Sequence, residues 1–424
     1  MTYEATLDHA RRRDQADPLA GLRQRFAHPR DVNKQPFLFL CGHSLGLMPL
    51  EARTLVQEEL DDWARLAVLG HEHARRPWIP YHENLTPGLT HLTGARANEV
   101  IAMNSLTVNL HLMLASFFQP KGRRTKILIE TGAFSSDRHA VTSQLAWQGL
   151  DPEQHLIELT PPPGSDSIPE EAIEACLAEH GADIALLLWP GVQFRTGQAF
   201  DLPRIVRAGR KAGCIVGFDL AHSIGNMPLA LHDYDADFAA WCSYKYLNAG
   251  PGAIGGCFVH ERHLAGHRHL MGWWGHEEAT RFRMEPLFRP ASGLAAWQIS
   301  NPPILAAAPL LASLTLFQEA RIERLRAKSI ELTGYLEFLL ERLQPHARFI
   351  TPRAVEARGC QISIRISGSP NRGRKVFERL GERNVVCDWR DPDVIRVAPV
   401  PLYNTFEEVF RFSEHLAEIL QEIP

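Results

Sequence analysis

Short apolar runs alternate with amphipathic stretches through the middle of the chain. Runs typical of buried strands stand at Val100–Met103, Lys126–Ile129, Ile184–Leu188, Cys214–Phe218 and Phe238–Cys242. Patterns with the spacing of an amphipathic helix fall between most of them, at Thr107–Phe118, Ser136–Gln148, Pro169–Glu179 and Pro203–Ala212. This alternation predicts an α/β fold, in which helices cover both faces of a mostly parallel sheet.

The two ends of the chain differ from this middle. Residues 1–50 show no clear period and contain several prolines, which predicts an irregular N-terminal segment that packs on a small domain or on a partner chain. A helix is predicted at Glu51–Leu66, before the central strands. After residue 303 a smaller C-terminal α+β domain is predicted, with helices at Ile304–Gln318, Ile322–Leu343 and Phe406–Ile423 and strands at Gln361–Ile366 and Val394–Val397. The predicted domains are therefore 1–50, 51–303 and 304–424, and the second is the large ligand-binding domain.

The composition argues against several classes of protein. The chain has 424 residues, 45% of them hydrophobic, and a net charge of -4, so it can bury a large core and lacks the basic surface that nucleic acids require. No run approaches the roughly 20 apolar residues that cross a bilayer, and the N-terminus does not resemble a secretory signal. Seven scattered cysteines without a CxxC pair predict reduced thiols and a cytoplasmic location.

Two charged residues follow neighbouring predicted strands. Asp219 comes directly after Cys214–Phe218, and Lys245 follows Phe238–Cys242, just before the glycine-rich turn Asn248–Gly252. Ligands of open α/β sheets bind beyond the carboxyl ends of the strands, so we expect both side chains in one site. Pyridoxal phosphate uses both groups, because its aldehyde binds a lysine and its ring nitrogen keeps a proton beside a carboxylate. The alternative is a buried Asp–Lys ion pair, which stability alone justifies weakly.

Two further segments are candidates for holding the phosphate and the ring of this cofactor. Asn104–Asn109 places hydroxyl groups at a predicted helix start, where free backbone N–H groups and the helix dipole attract anions. The same residues also suit an ordinary N-cap. In Phe134–Asp137, which opens the next helix, either a serine caps that helix or the Phe134 ring lies flat on the cofactor. The residues alone favour the cap.

Several longer motifs resemble those of one family. They are CGHSLGLMP (41–49), FDLAHSIGN (218–226), WCSYKYLNAGPG (241–252), MGWWGHE (271–277), QISNPP (298–303) and IRVAPVPLYN (395–404). Through these motifs nearly the whole sequence resembles the kynureninases. The resemblance implies a fold-type-I pyridoxal-phosphate enzyme that is a homodimer with its active site at the interface. It also implies a reaction in tryptophan catabolism, the hydrolysis of the Cβ–Cγ bond of kynurenine or 3-hydroxykynurenine to anthranilate or 3-hydroxyanthranilate plus alanine.

The resemblance further implies roles for individual residues. Lys245 matches the catalytic lysine that binds the cofactor, and Tyr244 matches a tyrosine that contacts the phosphate and acts in catalysis. The other implied cofactor positions are Leu106, Thr107, Phe134, Ser135, Ser136, Asp137, Asp219, His222, Trp273 and Asn301. The implied substrate positions are Ser44, His71, Asn301 and Arg396. A planar guanidinium suits the substrate carboxylate, although by itself the sequence fits a surface position for Arg396 equally well. No metal site is expected.

The chain departs from the family pattern at two positions. His43 stands where most members have asparagine, and Pro190 stands where animal-type members have serine. QISNPP and GHEHARRPW (70–78) resemble the animal and fungal type, whose members favour 3-hydroxykynurenine. Asn301 and His71 are candidates for hydrogen bonds to the additional phenol, so we expect a preference for the hydroxylated substrate.

Three other functions fit parts of the sequence. Cysteine desulfuration on the same fold requires a reactive thiol on an exposed loop, whereas Cys360 and Cys387 lie at apolar, strand-like positions. The histidine spacing H-x2-H-x3-H-x-H within residues 260–269 suggests a metal site, but the interleaved charges predict a surface helix instead. A binding protein without catalysis is the third alternative, and the presence of every chemically necessary residue argues against it.

Overall fold

The computed structural model describes residues 3–266 and 268–423. In this part of the chain the strands are β1 (Leu38–Phe39), β2 (Val100–Ala102), β3 (Lys126–Glu130), β4 (Leu156–Leu159), β5 (Ile184–Pro190), β6 (Ile215–Asp219), β7 (Phe238–Trp241), β8 (Gly256–Val259), β9 (Ala347–Phe349), β10 (Ile362–Ile366), β11 (Val385–Val386), β12 (Asp388–Arg390) and β13 (Val394–Val397). The predicted strands are all among them, with ends that shift by at most two residues.

The helices of the same part of the chain follow the predicted pattern with some additions. They are α1 (Leu7–Gln15), α2 (Leu50–Leu66), α3 (Gly70–His73), α4 (Thr86–Thr93), α5 (Leu106–Phe117), α6 (Ser135–Trp147), α7 (Pro152–His155), α8 (Glu170–His180), α9 (Leu202–Ala212), α10 (Leu231–Tyr234), α11 (Glu278–Arg281), α12 (Ile304–Ala320), α13 (Ile322–Glu341), α14 (Pro370–Glu382) and α15 (Phe406–Glu422). None of these helices is long and apolar enough to cross a bilayer.

A seven-stranded sheet forms the centre of the molecule, with the order β2-β8-β7-β6-β5-β3-β4. Strand β8 runs antiparallel to both of its neighbours, and the other neighbouring pairs are parallel. Side chains of β5 alternate between two cores: Leu186 and Leu188 pack with α5 and α6, whereas Leu187 and Trp189 pack with α8, α9 and α12. The predicted mostly parallel sheet between layers of helices is confirmed.

Local sequence signals set the ends of the elements that lead to the site, as α9 shows. The Asp201 side chain caps the helix by accepting from the Arg204 N–H at 2.9 Å, and Pro203 lies in the first turn, where no N–H is needed. Gly213 ends the helix with a φ of 76°, which residues with a Cβ rarely adopt. The chain then enters β6, which ends at Asp219.

The C-terminal part contains a four-stranded antiparallel sheet with the order β12-β13-β10-β9, packed against α13, α14 and α15. The predicted α+β character of this part is confirmed. Helix α12 instead packs on α2 and α4, beside the large sheet. The predicted domain boundaries at residues 50 and 303 stay predictions.

The N-terminal segment is more regular than predicted. Residues Leu7–Gln15 form α1, which packs on α15, so the prediction that this stretch is irregular is wrong. The helix is rich in charged residues and has little apolar periodicity, and tertiary contacts stabilise it. Its Asp14 carboxylate accepts from the N–H groups of Phe406 and Glu407, at 2.7 and 2.9 Å, and so caps the start of α15.

Candidate active site

A cavity of about 180 Å³ lies at the carboxyl ends of β3, β5, β6 and β7. Asp219 is the last residue of β6, and Lys245 follows the end of the neighbouring parallel strand β7 by four residues. Parallel strands end at the same edge of a sheet, which explains why the two side chains meet here. The cavity is lined by many of the residues predicted for the site, namely Leu106, Thr107, Phe134, Ser136, Asp137, Asp219, His222, Tyr244 and Lys245.

Lys245 is buried and faces His222 instead of a carboxylate. Its Nζ lies 3.1 Å from His222 Nε2 and 5.7 Å from the centroid of the Phe134 ring. Asp219 Oδ1 accepts from the Ala221 N–H at 2.7 Å. Among the interactions of the described residues, Asp219 and Lys245 form no ion pair with each other, so the alternative of a buried Asp–Lys pair is wrong. Both groups remain available to a ligand.

Three carboxyl groups are gathered on one side of the cavity. Burial and then the charge of Asp219 raise the pKa of Asp137, which therefore stays protonated and donates a hydrogen bond to Asp219. Glu130 ends β3, and burial raises its pKa to about 8, although the Gln193 amide donates to it at 3.3 Å. Pro190 lies between these strand ends, opposite Asp219 in the sheet register. The cluster favours a ligand that presents a cationic group.

Glu130 was not among the predicted site residues. Glu130 directly follows the apolar run Ile127–Ile129, at the end of a buried strand. Asp219 was predicted from the same pattern. Such a carboxylate is costly to bury without a partner. The same reasoning could therefore have included Glu130.

Two helices begin at the cavity, α5 and α6. Helix α5 starts after Ser105, whose side chain does not cap it, so the first N–H groups have no capping side chain. Helix α6 starts after Phe134, and no side chain caps it either. The prediction that Ser135 or Ser136 caps α6 is therefore wrong. Instead Ser136 Oγ lies 2.6 Å from Thr107 Oγ1, which joins the two helix starts, and Ser135 is exposed and does not line the cavity.

Arg396 is fully buried beside the cavity, so the surface alternative for it is wrong. Its Nε donates to Asp388 Oδ1 at 2.9 Å, and its Nη1 donates to the Phe194 carbonyl at 2.6 Å. Ser44 Oγ donates to Asp388 Oδ2 at 2.9 Å and lies 3.4 Å from Arg396 Nη2. The Phe194 ring in turn contacts Phe134 edge to face, with centroids 5.3 Å apart.

Asp388, which orients Arg396, was not predicted. It lies on β12, a short strand without a clear apolar pattern, and it also contacts Arg390 at 3.0 Å. The pairing of β12 with β13 brings Asp388 opposite Arg396. This register could not be read from the sequence, because β12 itself was not predicted.

The other three predicted residues lie outside the cavity of the single chain. His71 is half-buried against Trp78, with ring centroids 5.5 Å apart. Trp273 is 47% exposed and donates through Nε1 to the Arg281 carbonyl. Asn301 is exposed and accepts from the Ser300 hydroxyl at 3.1 Å. One chain therefore does not bring these residues to Lys245.

Burial also sets the protonation of the groups around Lys245. It lowers the pKa of His222 well below 6.5, and the charge of Lys245 adds to the effect, so His222 is neutral near pH 7. Burial and the nearby Cys242 raise the pKa of Tyr244, so its hydroxyl keeps its proton. The Tyr244 ring centroid lies 5.9 Å from Lys245 Nζ. The site thus contains a phenolic donor and a neutral imidazole beside the lysine.

The geometry does not favour the alternative functions. All seven cysteines are buried or partly buried, and burial raises the pKa of Cys360 to about 12, which opposes a reactive thiolate. Of the four histidines in this spacing, His263 contacts Asp237 at 2.7 Å, His269 stacks on Trp297, and His267 lies outside the described residues. His260 stacks instead on His232, with ring centroids 4.9 Å apart. The predicted surface helix is wrong as well, since Glu261–His263 forms one turn of 3-10 helix.

Solved structures with the same fold define the class of protein. A complex of the cystine C–S lyase C-DES with its product cysteine persulfide has a TM-score of 0.78 at 21% identity, covering 90% of this chain and 97% of that one. The cysteine desulfurase CsdA from Escherichia coli has a TM-score of 0.76 at 16% identity, covering 96% and 99%. In a further C-DES structure, glycine is covalently linked to the PLP cofactor. The chain has the fold of the fold-type-I pyridoxal-phosphate enzymes.

Sequence comparison gives the family within this class. Residues 325–416 match the model of the kynureninase C-terminal domain. A kynureninase from Xanthomonas campestris pv. campestris (strain B100) is 53% identical over 418 residues, covering 98% of both chains. One from Xanthomonas euvesicatoria pv. vesicatoria (strain 85-10) is 54% identical over 418 residues, covering 98% of this chain and 99% of that one. The chain belongs to the kynureninase family.

Proposed function

We propose that this chain binds pyridoxal phosphate at Lys245 and hydrolyses the Cβ–Cγ bond of kynurenine or 3-hydroxykynurenine, releasing anthranilate or 3-hydroxyanthranilate and alanine. Membership of the kynureninase family supports the reaction. The observation that carries the residue roles is the presence of Lys245 and Asp219 in one cavity. When bound, pyridoxal phosphate supplies an electron sink for the charge that develops as substrate bonds break.

The cavity residues fit this cofactor in charge and in shape. Lys245 Nζ is positioned for the aldehyde, and Asp219 is the carboxylate for the protonated ring nitrogen. The uncapped N-terminus of α5, together with the Thr107 hydroxyl, suits a phosphate group. Phe134 lines the cavity close to Lys245 Nζ and supports a ring-stacking position. The protonated Asp137 orients Asp219 through their hydrogen bond.

Three side chains handle protons in this proposal. Lys245, once free of the cofactor, takes the proton from Cα of the substrate and returns it later in the reaction. His222 accepts a hydrogen bond from Lys245 Nζ and orients it. Tyr244 keeps its phenolic proton near neutral pH and donates it toward the γ-carbonyl oxygen as water adds there.

Arg396 binds the substrate carboxylate in this proposal. Asp388 Oδ1 accepts from Nε and lies 2.8 Å from Nη2, which also lies 3.4 Å from Ser44 Oγ, and the Phe194 carbonyl accepts from Nη1. One N–H of Nη1 therefore has no acceptor among the described residues. A substrate carboxylate can therefore accept from that N–H of Nη1 and, in place of Ser44 Oγ, from Nη2. This places the substrate carboxylate beside Phe194, which lines the cofactor cavity.

The active enzyme is a homodimer in this proposal, with two residues of each site supplied by the second copy. Trp273 and Asn301 lie outside the cavity, and Trp273 belongs to an exposed apolar surface. Its other members are Leu270, Met271, Phe282, Met284 and Leu287. Apolar surfaces of this kind mark protein interfaces. The seven free cysteines support the further proposal of a cytoplasmic location.

The reaction is tested by the fluorescence of anthranilate formed from kynurenine. Wild type is expected to convert both kynurenine and 3-hydroxykynurenine, and Lys245→Ala is expected to lose turnover, because no other described lysine lines the cavity. A Lys245→Ala variant that retains activity would contradict the role of the lysine. A wild type that converts neither substrate would contradict the proposed reaction.

The preference for 3-hydroxykynurenine is tested by comparing kcat/KM for the two substrates. We expect a higher value for the hydroxylated one, and we expect Asn301→Ala to reduce that difference roughly tenfold, the effect of a lost hydrogen bond to the phenol. Asn371→Ala, at an exposed position of α14, serves as the control. A clear preference of wild type for plain kynurenine would contradict this prediction.

A further inference from the structure

His43 is fully buried, yet neither nitrogen of its imidazole has a hydrogen-bond partner. Buried polar atoms in proteins almost always have one, because an unpaired polar atom in the interior is costly. His43 is also next to Ser44 of the proposed substrate site. These facts make His43 a candidate for a role in the reaction.

Tight backbone packing fixes His43 beside the lysine segment. The Gly46 N–H donates to the Tyr244 carbonyl at 2.9 Å, which ties the turn to the residue before Lys245. On the other side of His43, a Cβ atom on Gly42 would lie 2.1 Å from the Tyr403 hydroxyl, so the backbone at Gly42 packs directly against Tyr403. The ring of His43 is therefore confined between two packed elements.

The charged groups that face His43 come from several elements. Burial and the neighbouring positive charges hold the pKa of His43 well below 6.5, and these charges belong to Arg396 on β13, Lys245 after β7 and Arg390 on β12. One ring nitrogen also lies within 4.8 Å of an Asp388 carboxylate oxygen and of Cys41 Sγ. Near neutral pH, His43 is thus an uncharged ring with one donor and one acceptor.

His222 is a second buried imidazole with an unpaired nitrogen. Its Nε2 contacts Lys245 Nζ at 3.1 Å, whereas its Nδ1 is buried without a partner. The rings of His43 and His222 have centroids 6.5 Å apart and are tilted by 43°. A single water bonded to two ring nitrogens spans about 4.6 Å between them, which fits rings at this separation.

We propose that His43 is a positioning residue for the reaction, which holds the His222 ring against Lys245 by a hydrogen bond through one bridging water to His222 Nδ1. The other ring nitrogen of His43 is then directed toward Asp388, which binds Arg396. His43 thereby connects the arginine of the substrate carboxylate with the lysine. This inference rests on the proposed function and adds one residue to that site.

A metal ion is the alternative ligand for Cys41, His43 and Asp388, and the surrounding charges disfavour it. Asp388 Oδ1 already accepts from Arg396 at 2.9 Å, and Oδ2 accepts from Ser44 and Arg390 at 2.9 and 3.2 Å. Two guanidinium groups beside the same carboxylate repel a further cation. A neutral water is the ligand that agrees with these contacts.

Two substitutions of His43 test the proposal in the holoenzyme. His43→Leu fills similar space without hydrogen bonds, and His43→Asn keeps a donor and an acceptor. The pH midpoint of the visible absorption band of the bound cofactor is measured together with kcat and KM. We expect His43→Leu to shift the midpoint by about half a pH unit and to lower kcat about tenfold at nearly constant KM. His43→Asn should keep the midpoint and stay within about threefold of the wild-type kcat.

A double-mutant cycle shows whether His43 acts through His222. In a His222→Phe background, His43→Leu should have little further effect on the midpoint, because the partner of the bridge is already absent. The proposal is overturned if the two effects add, if His43→Leu resembles wild type, or if His43→Asn is as impaired as His43→Leu.

A crystal structure of the wild-type holoenzyme tests the bridge even if His43→Leu does not fold. It should show an ordered water within hydrogen-bond distance of His43 and of His222 Nδ1. A metal ion in that place, or two rings with no atom between them, would overturn the proposal. Failure of the proposed function is a different result, since the wild type would then bind no pyridoxal phosphate or would not convert kynurenine.

Discussion

At the scale of single residues, the buried carboxyl group of Glu130 tests the electrostatics of the site. Burial in the folded protein disfavours its ionised form. Its pKa is raised from 4.5 to about 8, mainly by burial. Between these values the unfolded chain ionises while the folded protein keeps the proton, so this group makes the fold less stable as the pH rises. The full effect is on the order of 5 kcal/mol.

Glu130→Gln removes this pH-dependent cost while keeping the size of the side chain. We expect the Tm of the cofactor-free variant to exceed that of wild type by an amount that grows from pH 5 to pH 8, as measured by thermal unfolding at several pH values. Glu414→Gln, at an exposed position of α15, should leave the difference flat. A constant or shrinking difference for Glu130→Gln would mean that Glu130 is already ionised in the folded protein.

At the scale of residues, the sequence predicted those site residues that directly follow a recognisable strand. Asp219 and Lys245 could be placed in one site because each follows a clear apolar run and the carboxyl ends of parallel strands meet. His43 and Asp388 could not be placed, because their partners come from distant segments whose register is set only by packing. Trp273 and Asn301 were implied by resemblance alone, and their place in a site remains a prediction.

At the scale of elements, the turn that carries Ser44 depends on a close approach to the lysine segment. A Cβ atom on Gly46 would lie 2.4 Å from the Lys245 carbonyl oxygen and 2.2 Å from Asn248 Oδ1. We expect Gly46→Ala to lower the free energy of unfolding by about 1–3 kcal/mol, because the turn must move away. The same movement should lower kcat/KM at least roughly tenfold, since it displaces Ser44 from Arg396.

Gly21→Ala is the matched control for this prediction. No heavy atom lies within 4 Å of a Cβ built on Gly21, and this glycine does not have a positive φ. We expect a change in stability within about 0.5 kcal/mol and unchanged kinetics. Denaturant unfolding and substrate kinetics measure both quantities. If Gly46→Ala behaved like Gly21→Ala, the close packing of the turn on Lys245 would be refuted.

The pattern of apolar residues predicted the central elements well and the peripheral ones poorly. Strands β5, β6 and β7 are continuous apolar runs, so their positions followed from the sequence. Strand β4 is half-buried at the edge of the sheet and contains Glu158, and β8 begins at a glycine, so neither shows the pattern of a buried strand. Helix α1 forms because α15 lies beside it, which a local pattern cannot reveal.

At the scale of the whole molecule, the proposed sharing of sites between two copies predicts complementation. Lys245→Ala and Asn301→Ala dimers should each be impaired, the first by loss of the lysine and the second by loss of the residue supplied to the partner's site. In a mixed dimer, one site combines both substitutions and the other is intact. Random exchange of subunits should therefore restore about a quarter of the wild-type activity.

The measurement is a 3-hydroxykynurenine assay on the two variants, alone and after exchange of subunits at a ratio of one to one. Light scattering on the wild type should show a dimer. Activity that stays at the average of the two separate variants would contradict a shared site. A monomer in solution would contradict the dimer itself.

Lys245 is the residue on which the proposed function depends most directly, because it is the proposed attachment point of pyridoxal phosphate. Reduction of the holoenzyme with borohydride, followed by digestion and mass spectrometry, identifies the lysine that bears the cofactor. We expect the visible absorption to disappear and the pyridoxyl group to be found on the peptide that contains Lys245. A label on any other lysine, or a purified protein that carries no label at all, would contradict the assignment.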